Sequence, residues 1–108
     1  LGVSEGPIGV DLERADRPVS PALKRRVCLP QEQDQPFLTV YTRKECAMKL
    51  TGLGFSLPLQ EIDTTRDFPW NGAAFHFFST MSEGYVISVL SGEEKLPEIQ
   101  LLQPEELL

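Results

Sequence analysis

The chain is poor in the residues that most covalent catalysts rely on. It holds one histidine among 108 residues, His76. That residue lies in the strand-like run "AFHFFS", so a Ser-His-Asp arrangement has no candidate and His76 reads as structural. The two cysteines, Cys28 and Cys46, sit in different segments and outside any C-x-x-C pair. Their spacing does not suit zinc, and both read as reduced packing residues. Positive charge is also scarce: 10 lysines and arginines face 16 acids, for a net charge of −6. Nucleic-acid binding by phosphate neutralisation needs a basic patch, and the densest basic run, Lys24 to Arg26, reads as one solvated helix face. No apolar run is long enough to span a membrane and no signal peptide is evident, so a soluble cytoplasmic protein is expected. Neither a P-loop nor a G-x-G-x-x-G opens a helix. The first residue is Leu1, not methionine, and we expect a piece or processed product of something longer. The length fits one domain, residues 1–108, with a modest core.

What is present is a β-β-α-α-β-β-β pattern. Residues 1–4 read as the end of a strand, followed by the turn Ser4-Glu5-Gly6-Pro7. Over residues 8–13, Ile8, Val10 and Leu12 alternate with Gly9, Asp11 and Glu13, which predicts a strand. Ser20-Pro21 starts a helix that ends near Cys28, before Pro30. Residues 29–35 read as a polar loop. A second helix begins near Asp34 to Pro36 and runs to Thr51, where Gly52 and Gly54 stop it. Leu59 to Thr64 reads as a strand. Ala73 to Thr80 and Tyr85 to Leu90 form a hairpin around Met81-Ser82-Glu83-Gly84, and the second strand, apolar on both faces, is expected to be central. Ile99 to Leu102 reads as an edge strand and "PEELL" as a loose tail.

Two charged clusters carry the chemistry. On a strand, Asp11 and Glu13 project from one face about 7 Å apart. Two carboxylates with room for water and phosphate oxygens suit magnesium. The alternative is an exposed face whose acids are neutralised by Arg14 and Arg17 in "ERADR", and spacing alone favours it. On the second helix, Phe37, Tyr41 and Met48 align with Val40 and Ala47 as a buried stripe. Lys44 falls in its middle, where a lysine must snorkel out or meet an anion, and this points to function. Glu45 and Lys49 lie one turn apart at the stripe's edge, as an i,i+4 ion pair or as part of a site. Together, three carboxylates and two lysines describe phosphoryl-type transfer by positioning and charge neutralisation.

"GPIGVDLE" followed by "YTRKECAMKLTGLGFSLPL" resembles the paired signature of the 4′-phosphopantetheinyl transferases. The closer similarity is to the surfactin-synthetase-activating type, through the motif order, the "GFSLPL" continuation and the "EELL" ending. Tyr41 stands where that family usually has tryptophan, and Cys46 where it has a small residue. The resemblance implies an α+β fold: one half of the 4′-phosphopantetheinyl transferase fold, its C-terminal half, with an antiparallel sheet packed against two helices. It implies transfer of the phosphopantetheine arm of coenzyme A to a serine of an acyl or peptidyl carrier protein. Asp11, Glu13 and Glu45 would be magnesium ligands. Lys49 would meet coenzyme A phosphates and assist proton removal, with Glu45 beside it in catalysis, and Lys44 would also bind the coenzyme. The attacking hydroxyl would come from the carrier protein, which accounts for the lack of a nucleophile.

Two-half relatives grip coenzyme A with a Ser-His segment in the other half, and single-half relatives form trimers. A missing N-terminal half or a homo-oligomer is therefore expected. A second reading is a half-domain inactive alone. A third is an acidic α+β domain whose clusters are surface salt bridges.

Overall fold

A computed structural model describes residues 8–92. Strand β1 (Ile8–Arg14) is followed by helix α1 (Pro21–Val27), helix α2 (Phe37–Thr51) and strands β2 (Phe68–Trp70), β3 (Ala73–Ser82) and β4 (Tyr85–Ser91). The four strands form one antiparallel sheet in the order β1-β4-β3-β2. The expected fold class, an antiparallel sheet with two helices, is observed. The expected strands at residues 1–4 and Ile99 to Leu102, and the "PEELL" tail, lie outside the described residues. Among the described residues, no helix is long and apolar enough to cross a membrane.

The helix boundaries follow local chemistry. The Ser20 side chain accepts a hydrogen bond from the Leu23 N–H at 3.1 Å, and Pro21 opens α1. Helix α2 ends at Gly52, whose φ of 72° lies in the left-handed region that glycine enters without strain. Strand β4 is central, as its two apolar faces suggested, and Val86 to Ser91 are all buried. Helix α2 packs on one face of the sheet, with Cys46, Ala47 and Met48 against Phe75 and Leu90. On the other face, Ile87 and Val89 pack with Val10 and Leu12. Helix α1 packs on α2, through Val27, Cys28 and Val40. Both cysteines are free and buried.

Two segments differ from expectation. Leu59 to Thr64 is not a strand: Leu59–Glu61 is a 3-10 turn, and a second turn begins at Thr64. The backbone groups that a ladder needs are taken by side chains. The Leu59 carbonyl accepts from Lys44 Nζ at 2.8 Å, the Thr64 N–H donates to Glu32 Oε2 at 2.9 Å, and the Thr65 N–H donates to Asp63 Oδ1 at 2.9 Å. Strand β2 had no counterpart in the sequence reading, yet it pairs with β3 across Asn71 and Gly72, whose φ values are 51° and 79°. Asn-Gly between apolar runs is a two-residue hairpin signal. Pro69 is tolerated because β2 is an edge strand among the described residues.

The polar loop expected at 29–35 contains a turn, Pro30–Glu32, that buries Glu32 completely. Its Oε1 lies 2.8 Å from Lys44 Nζ and accepts from the Leu29 N–H at 2.7 Å. Its Oε2 accepts from the Thr64 N–H and, at 2.6 Å, from the Thr64 hydroxyl. Lys44, also fully buried, donates further to the carbonyls of Val27 at 2.6 Å and Leu59 at 2.8 Å. All three ammonium protons and both carboxylate oxygens therefore have partners. Burial alone would push the Glu32 carboxyl up, but Lys44, Thr64 and the two backbone N–H groups outweigh it and hold it below the usual glutamate range.

Glu32→Gln or Lys44→Met should each destabilise the fold by about 3–5 kcal/mol, because each strands a buried partner. In the double variant the two losses should not add, because each single change already strands the other charge. Urea unfolding of the three variants measures this, and single-variant losses below about 1 kcal/mol would contradict it. The folded Glu32 binds fewer protons than the unfolded chain just below its usual range. Its stabilisation is present above that range and is lost as pH falls through the folded value. Acid unfolding should show that loss, and Glu32→Gln should lack it.

Strand β1 also meets α2 at a point with no room to spare. A Cβ on Gly9 would lie 2.1 Å from the Cys46 carbonyl oxygen. Gly9→Ala should therefore lift β1 from α2 and cost at least about 2 kcal/mol. A thermal melt within a degree of the parent would show that the two elements can part freely.

Candidate active site at the crossing of β1 and α2

The pleat of β1 turns Gly9, Asp11 and Glu13 toward α2, as alternation predicted, and the bare Gly9 lets the strand touch the helix at Cys46. The crossing falls in the C-terminal half of α2. The Cys46 thiol fixes the contact from the helix side by donating to the Ser88 carbonyl of β4 at 3.1 Å. One turn after Cys46's neighbour Glu45, Lys49 reaches over β1. Its Nζ donates to Asp11 Oδ1 at 2.7 Å and to the Val10 carbonyl at 3.2 Å. Lys49 is therefore tied to the strand; the helical i,i+4 pair with Glu45 is not the bond it makes.

The charges here are unevenly compensated. Burial pushes the Asp11 carboxyl up, Lys49 pulls it down, and repulsion from Glu45 and Glu13 adds to the rise, which wins overall. Burial works against a charged Lys49, but the hydrogen bond and charge of Asp11, with Glu45 nearby, raise its pKa. The lysine is therefore held as a cation.

Glu13 makes a separate pair. Arg17 Nη1 donates to its Oε2 at 2.7 Å. The same guanidinium lies 4.9 Å from the centroid of the Tyr41 ring on α2. The Tyr41 hydroxyl is pushed up by burial first and also by Glu45, against the pull of Arg17. Arg17 and Tyr41 thus stand between Glu13 on the strand and Glu45 on the helix. A recess of about 340 Å³ opens beside them, lined by Glu13, Arg14, Asp16, Arg17 and Pro18. Arg14 turns to Asp16 at 3.1 Å, so of the two arginines in "ERADR" only Arg17 neutralises an acid of the D-x-E pair.

The structure brings Asp11, Glu13, Glu45 and Lys49 to one edge and leaves Lys44 out. The expectation that Lys44 binds a coenzyme does not hold in this fold: its ammonium is sealed inside and its three protons go to Glu32, Val27 and Leu59. The anion demanded by its place on the core stripe is internal. Glu32 was the residue the sequence reading missed, and the signal for it was the unmatched lysine itself. The expected ligand set is also not closed. Among the described residues, no three His, Cys, Asp or Glu side chains gather tightly enough to hold a metal ion. Asp11 and Glu13 instead hold Lys49 and Arg17.

The 4′-phosphopantetheinyl transferase superfamily model matches residues 7–97, which takes in β1, α2 and the whole described sheet. Comparison with curated proteins and with solved structures gave no match. With a D-x-E strand crossing a K-E-x-x-x-K helix inside that matched span, the chain belongs to the 4′-phosphopantetheinyl transferase superfamily.

Proposed function

We propose that this chain serves magnesium-dependent transfer of the 4′-phosphopantetheine arm of coenzyme A to a serine of an acyl or peptidyl carrier protein. The observation that carries the reading is the 2.7 Å contact of Lys49 with Asp11 at the β1–α2 crossing, with Glu13 and Glu45 close enough to repel Asp11. The donor set suits magnesium in kind: it consists of carboxylate oxygens, and its strand acids are already held by cationic side chains. Asp11, Glu13 and Glu45 would hold the ion, and a bound magnesium supplies charge neutralisation to the pyrophosphate of coenzyme A.

The other roles fall to the chain's own groups. Lys49, held charged and half exposed, can leave Asp11 for a phosphate oxygen. That favours a charge role for Lys49 over proton removal. Glu45 stands at the same edge to take the proton of the carrier serine, directly or through water. The serine oxygen forms a bond to the phosphorus that bears the pantetheine arm, and the bond from that phosphorus to the adenosine bisphosphate breaks. Arg17 is placed to accept the charge of the departing phosphate when Glu13 turns away from it.

A second reading is an incomplete half that needs a partner half or a second copy. The open ligand set favours it. Likeness to the C-terminal half of the surfactin-synthetase-activating type belongs with this reading.

Incubation of the full chain with coenzyme A, magnesium and an apo carrier protein, read by carrier mass, tests both. Transfer by the chain alone supports the first reading. Transfer only after adding an N-terminal half, or only in an oligomer, supports the second. No transfer in any arm would remove the proposal. In an active assembly, Lys49→Met should lower transfer about a hundredfold, as expected for a charge facing a developing anion. It should cost only about 1 kcal/mol of stability, because the pair is exposed on the lysine side. Glu45→Gln should also lower transfer and should be partly rescued by raised magnesium. A Lys49→Met protein that unfolds easily, yet transfers normally when folded, would make Lys49 structural.

A further inference from the structure

Helix α2 carries a second unusual cation. Arg43 lies about 160° around the helix from Glu45 at 100° per residue, away from the β1 edge. It is half-buried, and none of the ion pairs among the described residues includes it. Its Nε donates to the Ser79 hydroxyl at 2.8 Å, and its Nη1 to the Thr64 carbonyl at 3.3 Å. Its guanidinium carbon lies 5.6 Å from the centroid of the Phe77 ring. These contacts are with neutral groups and occupy two of five N–H donors. Burial pulls its pKa down, and no carboxylate offsets this.

Arg43 lines a recess of about 220 Å³ with Gln35, Thr39, Val40, Thr64 and Thr65. A water molecule occupies about 30 Å³, so the recess holds a small ion and a few waters but no nucleotide. Two of the acids on the adjoining loops are already matched, while Asp34, the residue before Gln35, is exposed and makes no ion pair among the described residues. Glu32 is held by Lys44 and Thr64, and Asp63 by Gln31, Thr65 and Arg66. The side chains of Gln35 and Thr39 make no hydrogen bond among the described residues. The recess thus offers one unbalanced guanidinium and two unused neutral donors. Planar N–H pairs of arginine match phosphate oxygens in geometry.

We propose that this recess binds a small oxyanion of the phosphate type, with Arg43 as its charge partner and Thr39 and Gln35 as neutral donors. The site is separate from the β1–α2 edge and does not rest on the transfer reading. Free phosphate and the phosphate of a small monoester share this chemistry.

The test is a titration of the full chain at constant ionic strength with inorganic phosphate, phosphoserine, acetate or chloride. The readout is the amide and side-chain nitrogen–proton shifts of Gln35, Thr39, Arg43 and Thr65. Saturable shifts confined to these residues are expected with phosphate, with a Kd on the order of 1 mM. Acetate should bind at least fivefold more weakly, and chloride should give no saturable shift. Tighter binding of phosphoserine identifies a monoester as the ligand, and weaker binding identifies free phosphate. Arg43→Met should weaken binding at least tenfold. Should that variant unfold, Gln35→Leu and Thr39→Val decide, each with an expected threefold loss and a preserved spectrum elsewhere. Shifts that fail to saturate, that acetate reproduces, or that survive in the folded variants would overturn the proposal.

Discussion

The bond between Glu32 and Lys44 orders the rest of the molecule. It removes two opposite charges from water and surrounds them with donors and acceptors from five places: the end of α1, the turn before α2, α2 itself, the Leu59 turn and Thr64. An apolar pair of equal volume could give comparable stability, since desolvation offsets much of the attraction. It would not give comparable direction. Lys44 has to point at one spot, which fixes the rotation of α2 about its axis. Once that rotation is set, Tyr41, Glu45 and Lys49 face one edge of the sheet, and Thr39 and Arg43 another flank.

Each side of α2 then meets the sheet differently. At Cys46 the contact is backbone on backbone, and only the absent side chain of Gly9 allows it. Between the two flanks, hydroxyls carry the polar contact. Thr42 bonds Ser88 at 2.7 Å, Ser88 bonds Ser79 at 2.8 Å, and Ser79 accepts from Arg43. Asp11, Ser88 and Ser79 stand opposite one another on adjacent strands. One row across the sheet therefore joins the acidic edge to the arginine flank.

Elements with strong local signals were legible in the sequence. Ser20-Pro21 and Gly52 mark real helix ends, and alternation placed Gly9, Asp11 and Glu13 on one face of β1. Glu83-Gly84 closes a hairpin with φ values of 50° and 82°, as the turn residues required. Elements set by tertiary contacts were not. Leu59 to Thr64 has the composition of a strand, but buried side chains from distant segments claim its backbone. β2 is short and contains Pro69, so only its Asn-Gly turn announced it. In the candidate site, Asp11, Glu13, Glu45 and Lys49 were legible as a pattern. Lys44 was legible as an anomaly, but pattern alone cannot tell an anion inside the protein from one outside. The partners chosen by Lys49 and Arg17 depend on the crossing of two elements, which no spacing within either element encodes.

The pairing of β1 has a consequence for the order of folding. Its ladder among the described residues is with β4 alone, Ile8 opposite Ser91. The β2–β3 and β3–β4 hairpins close over two-residue turns and can form quickly. β1 must instead close a loop that spans α1, α2 and the rest of the sheet, at a higher entropic cost and a lower rate. On the ribosome the strand that bears Asp11 and Glu13 is made before the other described strands and waits longest of them for its ladder partner. That partner is complete only once Ser91 has emerged, so Lys49 is presented before Asp11, the acid that will hold it, is locked in place.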